Sequence, residues 1–326
     1  MQNTTTEQWN NHTAITEFIL LGFGETDKLQ ILLFLVFAVI YILTMTGNIL
    51  IVILVVSDQH LQTPMYYFLG NLSFLEVCYS STILPKMLAR FLTGDKTISV
   101  SGCFTQFFCF GCFISLECYL LSLMSFDRYV AICKPLHYAI IMNGRIILHL
   151  LVGSWLCAAS ISVLTISMVS QLSFCGPNEI DHFFCDLSPL LQLSCSDVSR
   201  VKLLAFIFGP IDILPPFILT ITSYVCIITA ILRISSATGR QKAFATCSSH
   251  LIVVSIFYVT LMIVYILPNI NSLRDLKKVF SVPYTVLTPM VNPLIYSLRN
   301  KEVKESFKKV LDRFICFREI KRVFLK

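Results

Sequence analysis

The chain has 326 residues, of which 56% are hydrophobic and only 13% are charged. Because a soluble domain carries roughly a quarter charged residues, this composition excludes an ordinary soluble protein. The net charge of +6 is concentrated at the C-terminus, and it therefore does not indicate a nucleic-acid partner.

The N-terminal residues 1–28 are polar and acidic, and they lack the basic start and apolar core of a cleavable signal peptide. Asn3 and Asn11 each open an Asn-x-Thr triplet, the acceptor sequence for N-linked glycan. Two such triplets in a short tail beside an apolar span predict an extracellular, glycosylated N-terminus.

Seven apolar segments follow, each near the ~20 residues that a helix needs to cross a bilayer. They lie at 29–56, 65–88, 98–127, 145–168, 201–232, 243–267 and 278–298. The connections are short except for 169–200, and no soluble domain can be separated. The sequence therefore predicts an all-α membrane protein with a single seven-transmembrane helix bundle over 29–298.

Lysine and arginine residues predict the orientation of this bundle. With an extracellular N-terminus, the inner side holds 16 of the 25 Lys and Arg residues, ten of them in 299–326. From Asn300 to Phe317 basic residues alternate with apolar ones, which predicts a short amphipathic helix that lies on the lipids of the cytoplasmic leaflet. Cys316 is placed there for palmitoylation.

Polar residues inside the spans form a second pattern. Asn48, Glu76, Glu117 and Asn292 come from four different spans and are predicted to meet at mid-depth. Two carboxylates in hydrocarbon cannot both stay charged without a cation or a shared proton. Two interpretations remain open: a structural hydrogen-bond cluster, or a sodium or proton site that biases a conformational switch.

The third span ends on Asp127-Arg128-Tyr129, which places an acid beside a guanidinium at the membrane edge. Glu117 and Arg128 are eleven residues apart, close to three helical turns, and are therefore predicted on one face of the helix. One helix face thus carries a buried acid in mid-membrane and an arginine at its inner end.

Four motifs carry a family resemblance: LQTPMYYFL at 61–69, MSFDRYVAICKPLHY at 124–138, KAFATCSSHL at 242–251 and PMVNPLIYSLRN at 289–300. In this order they resemble the vertebrate olfactory receptors of the tetrapod-type class, which are rhodopsin-like G-protein-coupled receptors. The resemblance runs from Phe18 to about Phe307. Departures from the usual pattern remove no functional group and fall at Tyr67, Glu76, Ser125 and Phe126.

The resemblance implies an activity, partners and a location. The implied activity is that of an odorant receptor, which binds a small, mostly apolar volatile molecule in the outer half of the bundle. Binding activates a heterotrimeric stimulatory G protein of the olfactory type and raises cAMP through adenylyl cyclase. The implied location is the plasma membrane of olfactory sensory cilia, with the N-terminus outside.

The family pattern further implies a ligand site between spans three, five, six and seven, about two to four turns above Arg128. Its lining is mostly apolar and aromatic and comprises Phe110, Gly111, Ile114, Ser115, Phe208, Asp212, Tyr258, Leu261, Met262, Tyr265 and Thr285. Hydrogen bonds to an alcohol, ketone, ester or aldehyde are expected from Ser115, Tyr258, Tyr265 or Thr285. Because a lone charge is costly there, Asp212 is expected to be protonated or hydrogen-bonded and the ligand neutral.

The residues implied for coupling to the G protein are Asp127, Arg128, Tyr129, Tyr224, His250, Asn292, Pro293 and Tyr296. Arg128 is expected to pair with Asp127 at rest and to be released when the sixth span swings outward. Tyr224 and Tyr296 are expected to re-pack in the active state. His250 is open to two interpretations, a titrating switch or a satisfied core histidine.

Four cysteines lie on the predicted outer side: Cys103, Cys175, Cys185 and Cys195. Disulfide bonds are expected on this oxidising side, and four cysteines allow three pairings. The resemblance implies the pairs Cys103–Cys185 and Cys175–Cys195.

Other classes of membrane protein fit the sequence less well. A transporter predicts internal repeats and broken helices at the midplane, and neither is found. An enzyme needs a convergent nucleophile or metal set, but Glu76 and Glu117 have no His or Cys constellation beside them, and no cofactor or firm metal site is predicted. A non-olfactory receptor for another small neutral ligand remains the alternative. A receptor for amines normally has an acid in the outer third of span three, where 107–111 has none.

Overall fold

A computed structural model describes residues 15–24, 29–175, 177–233, 235–265, 274–299 and 302–310. The predicted glycosylation sites Asn3 and Asn11 and the predicted palmitoylation site Cys316 lie outside the described residues. The side chain of Tyr296 is also outside the described part, although its helix is not.

Helices occupy all seven predicted spans. They are α1 Gln30–Ser57, α2 Pro64–Thr93, α3 Val100–Cys133, α5 Gly144–Val169, α7 Ser199–Leu232, α8 Ala237–Tyr265, and a seventh segment made of α9 Arg274–Val282, a π-helical turn Pro283–Leu287 and α10 Thr288–Arg299. The third helix runs past its predicted end at 127, so Asp127 and Arg128 lie inside it and are held by its backbone hydrogen bonds. The ends of the other spans differ from the prediction by several residues at most.

Four of the described helices, α1, α3, α5 and α7, are long and apolar enough by themselves to cross a membrane. The remaining three segments have identifiable interruptions. Helix α2 carries Glu76, Lys86 and Arg90, and the apolar part of α8 is limited to His250–Tyr265. The seventh segment is divided by its π-helical turn. In a bundle, neighbouring helices provide hydrogen-bond partners for such polar side chains and for the backbone groups freed by a distorted turn.

The distribution of apolar side chains fits a bundle surrounded by hydrocarbon. Helix α1 exposes large apolar residues along its outer face, among them Leu32, Leu35, Val39 and Ile42. The interior is equally apolar, with fully buried side chains that include Leu72, Leu75, Leu116, Leu120 and Tyr284. A protein whose outside and inside are both apolar is stable only where the surrounding solvent is lipid.

A three-stranded sheet at the outer end of the bundle was not part of the all-α prediction. Strand β1 Glu17–Leu20 pairs antiparallel with β2 Thr97–Ser99, with Phe18 opposite Ile98. It pairs in parallel with β3 Glu179–Ile180, where Ile19 is opposite Glu179. The strands are two to four residues long, too short for an alternating pattern to stand out in the sequence. The sheet joins the N-terminal segment to the long outer loop.

Short helices complete the described connections. Turns of 3₁₀-helix lie at Gln59–Leu61 and Pro135–His137, and α4 Tyr138–Ile141 and α6 Leu187–Leu193 lie in the inner and outer loops. A last helix, α11, covers 302–310.

Helix α11 is amphipathic, as the sequence predicts for this region. Val303 and Ser306 are buried, whereas Lys304, Lys308 and Lys309 are exposed. The helix is anchored to the start of α2 and to the first inner loop by polar contacts: the hydroxyl of Tyr66 in α2 donates to the Glu302 carboxylate at 2.7 Å, and Lys309 Nζ lies 3.8 Å from Asp58 Oδ2 in the loop. Since both contacts are partly solvated, most of the docking comes from the buried apolar side chain.

Candidate functional site

A cavity of about 850 Å³ lies in the outer half of the bundle, between α3, α5, α7, α8 and α9. The long outer loop covers it from above. Eight of the residues implied for ligand binding line its wall: Phe110, Gly111, Ile114, Ser115, Phe208, Asp212, Leu261 and Tyr265. Its size and mostly apolar lining are those of a small-molecule site.

Three of the implied ligand residues lie off the wall of this cavity. The hydroxyl of Tyr258 donates to the carbonyl of Cys118 at 2.9 Å, and Thr285 Oγ1 donates to the carbonyl of Ser281 at 2.6 Å. Met262 is half-buried and packs against the apolar core. The proton of each hydroxyl group is therefore donated within the protein, and neither residue lines the cavity.

Asp212 is a polar residue in the wall of this cavity, and its side chain is buried, with 9% exposed. Ser115 Oγ donates a hydrogen bond to Asp212 Oδ2 at 2.5 Å, and the hydroxyl of Tyr119 donates to Oδ1. Asp212 thus faces inward and is hydrogen-bonded through both oxygens. The sequence reasoning missed Tyr119, although its spacing of four residues from Ser115 places both hydroxyl groups on one face of α3.

The long outer loop supplies residues that the sequence analysis did not assign to the site. Asp181, His182 and Asp186 line the outer part of the cavity together with Lys277 and Lys278 of α9. Lys278 Nζ lies 2.5 Å from Asp181 Oδ1, which fastens the loop to the seventh segment. No local motif marks these residues, because the loop positions them only after it folds back over the bundle.

Two disulfide bonds hold this loop in place. The structure joins Cys103 to Cys185 and Cys175 to Cys195, with Cα–Cα distances of 5.5 and 5.9 Å. These are the two pairs that the resemblance implies. Beside the first bond, Gln106 Oε1 accepts a hydrogen bond from the backbone N–H of Cys185 at 2.9 Å. The loop is therefore tied to the outer end of α3 by a covalent bond and by a hydrogen bond.

The pKa of the Asp186 carboxyl, in the long outer loop, is raised toward neutral pH. Burial raises the pKa of its carboxyl to about 6, against the opposing effects of the Leu187 N–H, the Tyr265 hydroxyl and Lys277. The Tyr265 hydroxyl donates to Asp186 Oδ1 at 3.3 Å. Burial lowers the pKa of His182, also in the loop, to about 3, so this histidine is neutral near pH 6.

The raised pKa of Asp186 predicts a pH dependence of stability. An acid whose folded pKa is raised stabilises the folded state below its unfolded pKa, and this stabilisation is lost as the pH rises through about 6. Purified receptor should therefore melt at a higher temperature at about pH 5 than at about pH 7. In Asp186→Asn this difference should shrink, whereas the exposed Asp197→Asn should keep it. An unchanged difference in Asp186→Asn would contradict the assignment.

The inner end of α3 carries the acid–guanidinium pair. Arg128 Nη2 and Nε donate to Asp127 Oδ2 at 2.5 and 3.0 Å, and the Tyr138 hydroxyl donates to Asp127 Oδ1 at 2.8 Å. Asp127 is completely buried, whereas the Arg128 side chain is 21% exposed. Tyr129, the third residue of the motif, packs with its ring tilted against Phe126. This geometry is the paired arrangement expected at rest.

Tyr224 of α7 and His250 of α8 meet near the same end of the bundle. The Tyr224 hydroxyl and His250 Nδ1 share a hydrogen bond, and both residues are buried. The bond links the fifth and sixth spans. Nδ1 of His250 thus has a partner in this conformation, and the bond has to break if α8 moves away from α7.

The four polar residues predicted at mid-depth are all buried, and two of them, Glu76 and Asn292, are joined by a hydrogen bond. Asn292 Nδ2 donates to Glu76 Oε1 at 2.5 Å, and Asn48 Nδ2 donates to the carbonyl of Pro289 at 3.0 Å. Both carboxylate oxygens of Glu117 are buried without a hydrogen-bond partner among the described residues, although Glu117 interacts electrostatically with Glu76.

The close approach of α1 to α10 at this depth depends on a glycine. A Cβ atom at Gly47 would lie 3.1 Å from the ring of Pro293. The absence of a side chain lets Asn48, the next residue, reach the carbonyl of Pro289 in the seventh segment. Pro293 is buried in this contact.

These features define the class of the protein. A bundle of seven membrane segments, a small-molecule cavity in its outer half under a disulfide-tied loop, and an acid–arginine pair at its inner end are the parts of a seven-transmembrane receptor. Within this class, the family model described as olfactory receptor matches residues 37–313. The chain belongs to the olfactory receptor family.

Individual relatives agree over nearly the whole chain. Human olfactory receptor 10A7 is 50% identical over 301 residues, which cover 92% of this chain and 95% of the relative. Human olfactory receptor 11A1 is 48% identical, with 91% of this chain and 94% of the relative covered. Mouse olfactory receptor 5AP2 is 46% identical, covering 94% and 97%. The chain is thus an odorant receptor, a multi-pass membrane protein that acts through G-protein-coupled signalling.

Proposed function

We propose that this receptor binds small, mostly apolar volatile odorants in the cavity between α3, α5, α7, α8 and α9, and that binding activates a stimulatory, olfactory-type G protein and raises cAMP. The observation that carries the proposal is the cavity of about 850 Å³, lined mainly by apolar side chains around the inner cluster of Asp212 and Ser115. The receptor acts in the plasma membrane of sensory cilia with its N-terminus outside.

The chemistry of the lining sets the expected affinity. Burial of apolar surface contributes ~25 cal/mol per Å², and a ligand of about ten to fifteen heavy atoms has little surface to bury. After the cost of immobilising the ligand, the remaining free energy corresponds to micromolar rather than nanomolar potency. The volume of the cavity accommodates such a ligand without rearrangement of the bundle.

A screen of chemically diverse volatiles with a cAMP reporter tests this proposal. It compares the surface-expressed receptor with Ile114→Trp, which fills the cavity from α3, and with Ile211→Trp, which is on the lipid-facing side of α7 and 56% exposed. Responses are expected in the receptor and in Ile211→Trp, and they should be lost in Ile114→Trp at equal surface level. Responses that survive in Ile114→Trp would place the ligand elsewhere and overturn the proposal.

We further propose that Glu76 and Glu117 share a sodium ion or a proton in the resting state. Several buried oxygens without hydrogen-bond partners among the described residues support this: both carboxylate oxygens of Glu117, Glu76 Oε2, and the side-chain oxygens of Asn48 and Asn292. Buried oxygens of this kind are the ligands that a hard cation prefers, whereas a shared proton joins one oxygen of each carboxyl group. The described residues contain no cluster of three or more metal-binding His, Cys, Asp or Glu side chains.

Removal of one acid should shift the balance between the resting and active states. In Glu117→Gln one buried negative charge is absent, so the ion or proton no longer stabilises the resting conformation selectively. Basal cAMP, odorant potency or sodium sensitivity should therefore change relative to the native receptor at equal surface level. Glu179→Gln, an exposed acid of the outer sheet, serves as the control. If all three readouts stay the same, the pair is structural.

A further inference from the structure

We infer that Asp212, Ser115 and Tyr119 form an acceptor cluster that selects odorants bearing a hydroxyl group over their carbonyl analogues. The inference rests on the proposed function, because it assigns a ligand class to the same cavity. It names Asp212 as the residue that determines specificity and Tyr119 as a positioning residue, since Tyr119 holds Asp212 but does not line the cavity.

The inference follows from the placement of the protons. A serine or tyrosine hydroxyl has one proton to donate and two lone pairs that accept. Ser115 donates its proton to Asp212 Oδ2, and Tyr119 donates its proton to Oδ1. One hydroxyl donor on each of its two oxygens stabilises the ionised form of a carboxyl group, and an ionised carboxylate only accepts. The lone pairs left over at Asp212 and Ser115 are therefore all acceptors.

The other polar groups near this depth are also committed. The Tyr258 hydroxyl donates to the carbonyl of Cys118, and Thr165 Oγ1 donates to the carbonyl of Ile161 at 2.9 Å. Ser162 of α5 differs, because its hydroxyl lines the cavity and makes no hydrogen bond to another described residue. A carbonyl ligand would have to find its donor at Ser162, whose Oγ lies 3.5 Å from the position that a Cβ atom at Gly111 would take.

A hydroxyl group matches this environment better than a carbonyl or an ammonium group does. A carbonyl oxygen placed at Asp212 meets only acceptors, so both partners stay unsatisfied at the cost of their desolvation. The outer part of the cavity carries three lysines, Lys202, Lys277 and Lys278, against two acids, Asp181 and Asp186, and this excess of positive charge disfavours an ammonium ion. A hydroxyl donates one bond to Asp212 and carries no charge into the membrane.

The direct test needs no altered protein. The probes are straight-chain alcohols from hexanol to decanol with the aldehydes of the same length, benzyl alcohol with benzaldehyde, and octylamine. The cAMP response of the surface-expressed native receptor is expected to show at least one alcohol with a half-maximal concentration about tenfold or more below that of its aldehyde. Aldehydes that match or exceed their alcohols, activation by octylamine alone, or a panel without any response overturns the inference.

A substitution that adds a hydrogen-bond donor at position 212 provides a second test. Asp212→Asn replaces an acceptor-only group by an amide that also donates. The alcohol preference should fall to about twofold or less, with a gain for the aldehydes, whereas Asp197→Asn, the same change on the exposed outer loop, should keep the native preference. If Asp212→Asn does not reach the surface, Tyr119→Phe provides the second variant. It leaves the carboxylate an acceptor but no longer holds it in place, so the alcohols should stay preferred over the aldehydes while their half-maximal concentrations rise about threefold or more.

Two further variants separate failure of this inference from failure of the proposed function. If the alcohol response survives in Ile114→Trp, the ligand does not occupy the cavity and the proposed function fails. If Ile114→Trp abolishes the response but alcohols and aldehydes act alike, only the present inference fails. Ser162→Ala tests the alternative anchor: a selective loss of the alcohol response in that variant would move the polar anchor to α5 and overturn the inference.

Discussion

An Arg128→Ala receptor is expected to reach the cell surface and to lose its cAMP response to odorant, with a maximum lowered at least about tenfold. Arg128 makes two charge-assisted hydrogen bonds to Asp127 and is partly exposed at the inner end of α3. The family resemblance implies that Arg128 couples the receptor to the G protein, and alanine has no donors to replace the planar fork of its guanidinium. The measurement is the cAMP maximum normalised to surface level.

The removal of Arg128 also leaves the completely buried Asp127 without its cation, and that can destabilise the bundle. The double variant Asp127→Asn with Arg128→Ala avoids this unpaired charge, while the neutral amide introduced at position 127 keeps the Tyr138 hydroxyl as a partner. It should be as inactive as the single variant but should reach the surface more fully. Arg145→Ala, an exposed basic residue at the start of α5, is the matched control and should signal normally. Normal maxima in both Arg128 variants would contradict the role in coupling.

Loss of the bond between Cys103 and Cys185 is expected to have the second large effect, retention of the receptor inside the cell. The bond closes 82 residues of chain, and in the chain-entropy description a loop of this size corresponds to roughly 4 to 5 kcal/mol of stability. The loop that it holds covers the cavity and contributes Asp181, His182 and Asp186 to it. Surface antibody staining of Cys103→Ser and Cys185→Ser, compared with total protein, measures the effect.

The remaining thiols provide the controls for this experiment. Cys109→Ser changes a free, half-buried cysteine of the same helix and should leave the surface level within about twofold of the native receptor, since it breaks no disulfide bond and replaces a single sulfur atom. Cys175→Ser opens a bond that spans only 20 residues, so its effect should be smaller than that of Cys103→Ser. Equal surface levels and equal responses in all of these variants would show that the first bond is dispensable.

The sequence by itself determined the architecture and the family. Seven apolar segments of spanning length can be recognised without any tertiary information, because hydrocarbon forces each one to satisfy its own backbone hydrogen bonds as a helix. The inner acid–arginine pair was equally predictable, since Asp127 and Arg128 are adjacent in the chain and meet in any helix. These features depend on residues that are close together in the chain, so they can be predicted from the sequence.

The contacts inside the cavity were decided only by the tertiary structure. Asp212 is 97 residues from Ser115 in the chain, and Tyr258 is 140 residues from the carbonyl that it contacts. Whether a hydroxyl group faces the cavity or donates to a backbone carbonyl depends on the rotation of each helix against its neighbours. That rotation follows from packing over the whole bundle, so Thr285 and Tyr258 were assigned to the ligand and proved to be occupied within the protein.

The positions of the outer sheet and of the loop residues were likewise decided only by the tertiary structure. The strands are formed by residues near positions 18, 98 and 180, and none of them pairs with a sequence neighbour. The chain carries the cysteines that close the loop, but the positions of Asp181, Asp186 and Lys278 around the cavity exist only once the loop has folded over α3 and α9. Long-range pairing fixes them, because the cost of closing the loop is recovered only when the sheet, the disulfide bonds and the ion pair form together.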